Sequence, residues 1–301
     1  MQINQFEIFM MVARLKSFSK AAKLLYMTQP AISNHIHAME NYYGTKLFNR
    51  HSHGVSLTQA GEVVYAYAQK ILSDHDAMEK EIDRVLNVKN QNLVVGASSN
   101  VGNYALPCSI WTFKEKYPEV NIRLEIANSA AIIQQVLDNK VHLGVLEGPV
   151  DHEELKVTHV FSDQLILISP PTNKWLERDH ITLKELQRES LIMREEGSGI
   201  RKIWENLLTE RGMSLNDFKI AAEMGSIDAI KSAVESGKGV AIASKLSVQK
   251  EIRRGSLREV QIEGIPVTIQ FEVICRAEMD QPSLATRFIR FLGSPDERSF
   301  C

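Results

Sequence analysis

The longest regular pattern in the chain is a proline-free segment from Gln59 to Val88 that carries a heptad seam. The seam residues, separated alternately by four and three positions, are Val64, Ala68, Ile71, His75, Met78, Ile82 and Val85. This spacing predicts a helix that pairs with a second helix. At 1.5 Å per residue such a helix is about 45 Å long, which is too long for one small domain to cover. The segment therefore predicts two domains, one on each side, and pairing of two copies of the chain.

Three short helices are predicted before this segment. Apolar residues at Phe6, Phe9, Met10 and Ala13 predict a helix over Ile3–Lys16. Ser19 is a favourable N-cap for a second helix through Leu25, and Tyr26-Met27-Thr28 then forms a turn. The third helix is predicted to begin at about Gln29, with Thr28 as its cap and Pro30 in its first turn.

The third helix has an apolar face and a polar face. The residues predicted to face the core are Ile32, Ile36, Met39 and Tyr43, and the polar face carries Gln29, Ser33, Asn34 and His37. Hydrogen-bonding side chains near a helix N-terminus are suited to reading base edges in the major groove. A solvated helix face is the alternative interpretation of the same pattern.

A basic hairpin is predicted after the third helix. Gly44 is the expected C-cap, and apolar residues flank the turn His51-Ser52-His53-Gly54, which predicts a β-hairpin carrying Arg50. The whole chain has a net charge of −2, whereas residues 1–65 contain six basic and three acidic side chains. Any affinity for DNA must therefore come from this local patch, present in two copies.

The spacing of the whole N-terminal unit resembles the DNA-binding signature of the LysR family. The matching residues are Ser17-Phe18-Ser19, Ala21-Ala22, Leu24-Leu25, Thr28-Gln29-Pro30-Ala31, Ser33, Ile36, Met39-Glu40, Gly44, Leu47-Phe48, Arg50, Leu57-Thr58 and Ala60-Gly61. The resemblance implies DNA contacts by Gln29, Pro30, Ser33, Asn34 and Arg50, and His37 lies on the same polar face. Met39 and Tyr43 depart from the leucines usual at their positions.

Strands and helices are predicted to alternate after residue 92. Strands are expected at 93–97, 121–127, 143–147, 191–194, 219–224 and 240–243, with helices at 103–117, 130–139, 200–211 and 227–236. Alternation of this kind predicts parallel sheets with ligands at the carboxyl ends of the strands. The number of units exceeds one lobe, so two such sheets are expected.

The resemblance implies a mixed fold for the whole chain. The expected parts are an all-α winged helix-turn-helix domain (1–58), a linker and dimerisation helix (59–89), and an effector-binding domain (90–301). The last resembles type 2 periplasmic binding proteins and is two-lobed α/β, with lobe one at 92–162 and 267–301 and lobe two at 163–266. An effector would then bind between the lobes.

Several polar residues are predicted to face this cleft. They are Ser98, Ser99, Asn100, Ser129 as a helix cap, Glu147, Gly197, Ser198, Gly199 and Arg201. The Gly197-Ser198-Gly199 loop before a helix suits an anion, although an ordinary strand-to-helix turn with Arg201 on the surface fits equally well. The segment Arg194–Arg201 resembles LysR branches that regulate sulfur-oxyanion assimilation and carbon fixation, but Ile200 replaces the hydroxyl residue usual there. This replacement removes one possible hydrogen-bond donor, which argues against an inorganic oxyanion and leaves an organic carboxylate open.

No motif for catalysis or metal binding is found in the sequence. Gly197-Ser198-Gly199 is not a G-x-S-x-G elbow, and Cys108, Cys275 and Cys301 have no paired spacing that would indicate a zinc site or a disulfide framework. The expected protein is a non-enzymatic, cytoplasmic regulator without cofactor or membrane partner. Its expected partners are double-stranded operator DNA, a small and anionic effector, further copies in a homodimer or homotetramer, and RNA polymerase. The alternative is a solute-binding protein without a gene-regulatory role, against which the missing export signal and the DNA-binding unit argue.

Overall fold

The computed structural model describes residues 3–25, 27–51, 54–85, 92–265, 267–277 and 283–294. The chain divides into a first unit that ends at Lys89 and a second unit that runs from Asn90 to Gly293. The elements of the first unit are α1 (Ile3–Leu15), α2 (Phe18–Leu24), α3 (Gln29–Tyr43), β1 (Phe48–His51), β2 (Gly54–Leu57) and α4 (Gln59–Val85).

The first two helices form with one shift in position. Helix α1 buries Phe6, Phe9 and Met10 as expected. Helix α2 begins at Phe18, so the prediction of Ser19 as its cap is wrong. The Ser17 hydroxyl instead accepts the Lys20 N–H at 3.2 Å. Phe18 is drawn into the helix because its ring packs edge-on against Phe48 in the core. Tyr26 lies outside the described residues.

Helix α3 has the predicted caps but a different last turn. Thr28 accepts the Ala31 N–H at 3.3 Å, and Gly44 closes the helix in the left-handed conformation with φ +65°. The placement of Tyr43 in the core is wrong, because its side chain is exposed. Glu40 is buried instead.

The long helix α4 begins where Thr58 caps it by accepting the Gly61 N–H at 3.0 Å. Gly61 allows a close approach, since a Cβ there would lie 2.1 Å from the Leu47 carbonyl oxygen. The predicted positions 86–88 lie outside the described residues. Of the seam, Val64 and Ala68 are buried in the first unit, whereas Ile71, Met78, Ile82 and Val85 are exposed in the single chain.

The second unit contains β3 (Asn92–Ser98), a π-helix (Val101–Ala105), α5 (Leu106–Lys116), β4 (Asn121–Ala127), α6 (Ser129–Leu137), β5 (Leu143–Glu147), β6 (Leu155–Ser169), α7 (Asn173–Leu176), β7 (His180–Ile181), α8 (Leu183–Leu186) and β8 (Leu191–Arg194). It continues with α9 (Gly199–Thr209), a 3₁₀ turn (Leu215–Asp217), β9 (Ile220–Met224), α10 (Ile227–Glu235), β10 (Val240–Ser244), α11 (Lys245–Arg254), β11 (Arg258–Ile262), β12 (Val267–Arg276) and α12 (Ser283–Gly293).

The strands form one continuous sheet rather than two. Their order is β4-β3-β5-β12-β6-β10-β8-β9, with β11 also paired to β6. Strands β3, β4 and β5 are parallel, as are β8, β9 and β10, which agrees with the alternating pattern. The expectation of two separate sheets is wrong because β6 and β12 run antiparallel to each other and join the halves.

Each half of the sheet has its own apolar core. The half containing β3–β5 packs around Ile132, Val136 and Ile274, and the half containing β8–β10 packs around Ile168, Ile230 and Val248. We call these halves lobe one and lobe two. Strand β6 passes from one to the other, since its end from Leu165 to Ile168 pairs with β10.

Two cysteines in the second unit differ in state. Cys275 is a buried free thiol, and burial raises its pKa. Cys108 is disulfide-bonded, which the count and spacing of the cysteines did not predict.

Candidate DNA-binding face and effector cleft

The polar residues predicted on α3 form one exposed surface. Gln29, Pro30, Asn34 and His37 are exposed and Ser33 is half-buried. Gln29 and Ser33 are one helical turn apart, and the Gln29 Nε2 donates a hydrogen bond to the Ser33 Oγ at 3.1 Å. Because positions i and i+4 share a helix face, these side chains can reach the same stretch of a groove.

A buried carboxylate joins the end of α3 to the first strand of the hairpin. Glu40 accepts hydrogen bonds from the Lys46 ammonium at 2.8 Å and from the Leu47 N–H at 3.0 Å. Burial works to raise the pKa of Glu40, but these hydrogen bonds outweigh it and hold the pKa below its ordinary value. The carboxylate therefore fixes the hairpin relative to the polar face.

Arg50 lies on the hairpin, opposite Val55 in the antiparallel register. Its side chain is exposed, and its guanidinium carbon stands 4.7 Å from the centroid of the Phe18 ring. Contact with an aromatic face orients the guanidinium while leaving its N–H groups free to meet phosphate. His53, predicted beside it, lies outside the described residues.

The predicted ligand residues of the second unit gather at the carboxyl ends of β3, β4 and β5. In the parallel register Ser98 stands opposite Ala127, and the Ser99 hydroxyl points to the Ala127 carbonyl at 3.5 Å. Glu147 is the last residue of β5 and is buried. These residues therefore share one edge of lobe one, as the topology rule predicts.

Several polar groups at this edge are buried without a hydrogen-bond partner among the described residues. They are the Ser98 hydroxyl, both amide atoms of Asn100 and the Ser129 hydroxyl. Asn100 is only 2% exposed. Buried polar groups are nearly always hydrogen-bonded, so such a cluster indicates a place where a ligand or ordered water supplies the missing partners.

The loop before α9 closes against this edge from lobe two. The Ala130 N–H donates to the Gly197 carbonyl at 3.1 Å. A Cβ on Gly199 would lie 2.4 Å from the Glu147 carbonyl oxygen and 2.8 Å from the Ser129 Oγ. Gly199 is thus required for the contact, and it brings the start of α9 beside the unpartnered groups.

Three helices begin at this place: the π-helix after Asn100, α6 and α9. The cap of α6 is Asn128, whose Oδ1 accepts the Ala131 N–H at 2.9 Å, so the prediction of Ser129 as cap is wrong. The Ser129 hydroxyl is therefore left for another partner. Ser198 is the N-cap residue of α9, but its side chain makes no capping hydrogen bond. Its carbonyl accepts the Lys202 N–H at 3.0 Å.

The two arginines near the cleft are already paired. Arg201 donates to Glu205 at 2.8 Å and to the Arg194 carbonyl at 3.2 Å, and lies 3.0 Å from Glu223. Arg194 forms two hydrogen bonds with Glu195. The guanidinium of Arg201, predicted to hold an anion, is thus engaged by two carboxylates.

A cluster of hydrogen-bonded side chains that links the two lobes was not predicted from the sequence. The Lys231 ammonium on α10 donates to the Tyr104 hydroxyl of the π-helix at 2.8 Å and to Glu251 at 3.0 Å. Tyr104 in turn donates to Asp228 at 2.5 Å. Burial disfavours the ammonium, but its hydrogen bonds dominate and the pKa of Lys231 is raised. The sequence feature that could have indicated this cluster is Lys231 itself, a charged residue among the buried apolar residues of α10.

The described residues contain neither a membrane-spanning helix nor a cluster of metal-ligating side chains. No helix in that part of the chain is long and apolar enough to span a membrane. Within the same residues, no three histidine, cysteine or acidic side chains are grouped as metal ligands.

A winged helix-turn-helix and a two-lobed α/β domain in one chain are the architecture of a ligand-responsive DNA-binding regulator. Comparison with known families agrees: the family described as "Bacterial regulatory helix-turn-helix protein, lysR family" matches residues 3–62, and "LysR substrate binding domain" matches residues 87–294. The chain belongs to the LysR family of transcriptional regulators.

Individual relatives cover most of the chain. A protein of Cyanophora paradoxa named "Probable RuBisCO transcriptional regulator" is 33% identical over 275 residues, which are 90% of this chain and 85% of that protein. The structure of CbnR, a LysR family transcriptional regulator, has a TM-score of 0.56 at 21% identity and covers 97% of this chain and 100% of that one. The regulatory domain of CcmR from Synechocystis PCC6803, in complex with 2-PG, has a TM-score of 0.61 at 23% identity and covers 67% and 95%.

Proposed function

We propose that this regulator binds operator DNA through the polar face of α3 and the hairpin, and that a small hydroxylated anion in the cleft between the lobes controls it. Binding of an effector to the cleft shifts an equilibrium between DNA-bound arrangements, and operator DNA must then alter effector affinity in return. No catalytic step is part of this function. Since operator DNA is the target, we place the protein in the cytoplasm.

The observation that carries the effector proposal is the set of unpartnered groups on Ser98, Asn100 and Ser129. Hydroxyl and amide donors next to three helix N-termini favour negative charge, because the first N–H groups of a helix have no partner within it. The buried Glu147 is an acceptor and favours a ligand that also has a hydroxyl group. The complex of the similar CcmR domain with 2-PG supports an anionic ligand.

The effector proposal is tested by thermal shift of the full chain with 2-PG, with shikimate as a hydroxylated carboxylate, and with glycerol as a neutral polyol. A ligand that binds only the folded state raises the melting temperature. We expect a shift with one of the anions and none with glycerol at equal concentration. Ser129→Ala should remove the shift, whereas Ser169→Ala should keep it. Ser169 is a matched control because its hydroxyl is also buried without a partner but lies at the far end of β6.

The DNA proposal rests on the exposure of the α3 residues and of Arg50. Gln29→Ala should reduce the preference for an operator over other DNA, because Gln pairs bidentately with adenine. Arg50→Ala should weaken binding to all DNA and flatten its salt dependence, because phosphate contacts carry no sequence information. Lys184→Ala, an exposed cation in the second unit, is the control. An unchanged preference in Gln29→Ala would remove that residue from the reading face.

We further propose that α4 pairs two copies of the chain, either as a homodimer or as each dimer of a homotetramer, and that the DNA-bound form contacts RNA polymerase. Exposure of Met78, Ile82 and Val85 on one seam supports pairing, since apolar residues at heptad spacing are stable in water only against a partner helix. Sedimentation at micromolar concentration measures the stoichiometry.

A further inference from the structure

Lobe two contains a cavity that is separate from the effector cleft. Its volume is about 460 Å³, within the range of small-molecule sites. It lies on the α9 side of the sheet, between Trp204 of α9 and the segment that follows β11. Among the described residues, those that line it include no member of the cleft set of Ser98, Asn100, Ser129, Glu147 and Ser198.

The floor of the cavity is apolar and contains one unused donor. Leu165, Ile242, Val260 and Ile265 line it together with Trp204. Trp204 is fully buried, and its indole Nε1 has no hydrogen-bond partner in the described part of the chain. Because an indole N–H usually finds a partner when it is buried, the site lacks one hydrogen-bond acceptor.

The rim of the cavity is polar and acidic. It carries Glu259, Glu263 and the exposed His180, and no lysine or arginine is among the described lining residues. Glu259 is paired with Lys245 at 2.9 Å, whereas Glu263 is exposed and forms no ion pair within the described residues. An anion that enters the cavity would meet the unpaired carboxylate of Glu263. The rim therefore disfavours anionic ligands, whereas the effector cleft favours them.

The turn that covers the cavity is held by its backbone. Gly264 adopts φ +69°, its carbonyl accepts from the Arg211 guanidinium at 3.3 Å, and the Glu263 N–H donates to the Ile181 carbonyl at 2.9 Å. These bonds keep the wall in place, so the cavity is a formed site rather than a gap under a loose loop.

We infer that this cavity is a second ligand site, for a small molecule with an apolar body, a hydrogen-bond acceptor and an uncharged or positively charged end. The apolar body lies on Leu165 and Ile242, an oxygen or nitrogen acceptor meets the Trp204 indole, and the polar end faces Glu263. Trp204 is five residues from Gly199, about 7.5 Å along the same helix, so the two sites share α9.

The test uses three probes of similar size that share a phenyl ring and an ether oxygen as acceptor but differ in charge: 2-phenoxyethanol, 2-phenoxyethylamine and phenoxyacetate. In the full chain carrying Trp111→Phe and Trp175→Phe, Trp204 is the only tryptophan and its fluorescence reports the cavity. We expect saturable changes with the alcohol and the amine at millimolar concentration, and at least tenfold weaker binding of phenoxyacetate. Saturation-transfer NMR on the unmodified chain gives the same ranking independently of the tryptophan replacements.

Two variants at exposed positions locate the binding. Thr268→Phe fills the mouth and should abolish the signal, while Thr268→Ser should keep it. Glu263→Lys should reverse the preference between the amine and phenoxyacetate. Absence of saturable binding by all three probes up to about 10 mM, an unchanged signal in Thr268→Phe, or an unchanged ranking in Glu263→Lys would each overturn the assignment. Effector binding in the cleft could still stand after any of these results.

Discussion

Replacing Asn100 by leucine should make the protein more stable and less responsive. The Asn100 side chain is 2% exposed and neither of its amide atoms has a partner among the described residues. Leucine has the same branching and no polar atoms, so it removes the desolvation cost that the amide carries when neither ligand nor water is bonded to it. That cost is about 1–3 kcal/mol for a buried polar group, and we expect a gain of about 1 kcal/mol after the larger methyl groups are accommodated. For a domain of this size the melting temperature should rise by about 2–4 °C.

The same replacement removes a hydrogen-bonding group from the cleft. At an effector concentration about 100 times Kd, the unmodified protein gains about 2.7 kcal/mol, whereas the Asn100→Leu variant should gain almost nothing. The order of melting temperatures should therefore invert, with the variant higher without effector and the unmodified chain higher with it. Differential scanning calorimetry with and without ligand measures both terms.

Asn100→Ala separates the two contributions, because it removes the amide without adding methyl groups. If both variants melted well below the unmodified protein in the absence of effector, the amide would be hydrogen-bonded in solution. The inference of an incomplete site would then be refuted.

Three further outcomes are expected. Glu40→Ala should lower the free energy of unfolding by about 1–3 kcal/mol because it leaves the Leu47 N–H unpaired, while Lys46→Ala, at a side chain 65% exposed, should cost less than about 1 kcal/mol. Because the folded pKa of Glu40 is lowered, its contribution is fully present above the unfolded value near 4.5 and is lost as pH falls through the folded value, so urea titrations should show a larger difference at pH 7 than at pH 3. Gly61→Ala should reduce both thermal stability and DNA affinity in an anisotropy assay, since its Cβ must displace the Leu47 carbonyl from 2.1 Å, and a normal result would mean that the start of α4 is placed differently. Met78→Asp should convert dimers to monomers in sedimentation experiments, and an unchanged mass would exclude the α4 seam as the dimer interface.

The sequence predicted those parts of the fold that depend on local patterns. The caps Thr28, Thr58 and Gly44 and the parallel strands at 121–127, 143–147 and 191–194 lie where expected, because capping geometry and apolar runs are properties of neighbouring residues. Ser17 and Ser19 are both favourable N-cap residues for α2, because serine is preferred at that position. The choice between them was decided by Phe18, whose packing against Phe48 is a tertiary contact.

The joined sheet could not be predicted in this way. Strands β6 and β12 are separated by about a hundred residues, and their antiparallel register follows from neither segment alone. The burial of Glu40 likewise depends on a backbone N–H that comes seven residues later. The positions of the candidate cleft residues were predictable because the carboxyl ends of parallel strands meet at one edge. The hydrogen bonds and ion pairs that each of these side chains forms were not predictable.

Arg201 shows how far the pairing of side chains changes the chemistry of the cleft. A glycine loop followed by arginine predicts an anion held by a guanidinium, but Glu205 and Glu223 already take that charge. Attraction for an anion must then come from the first N–H groups of α6 and α9 and from the hydroxyl of Ser129, which are fixed dipoles in a buried place and are weakly screened by salt. Arg201→Ala should therefore change effector affinity less than threefold, whereas Ser129→Ala should reduce it more than tenfold.

Effector affinity should also vary little between 50 and 200 mM salt, a range in which DNA affinity falls by orders of magnitude. Calorimetric titration at the two salt concentrations decides the matter: a large loss in Arg201→Ala together with a steep salt dependence would show that a free guanidinium, and not the helix ends, holds the ligand.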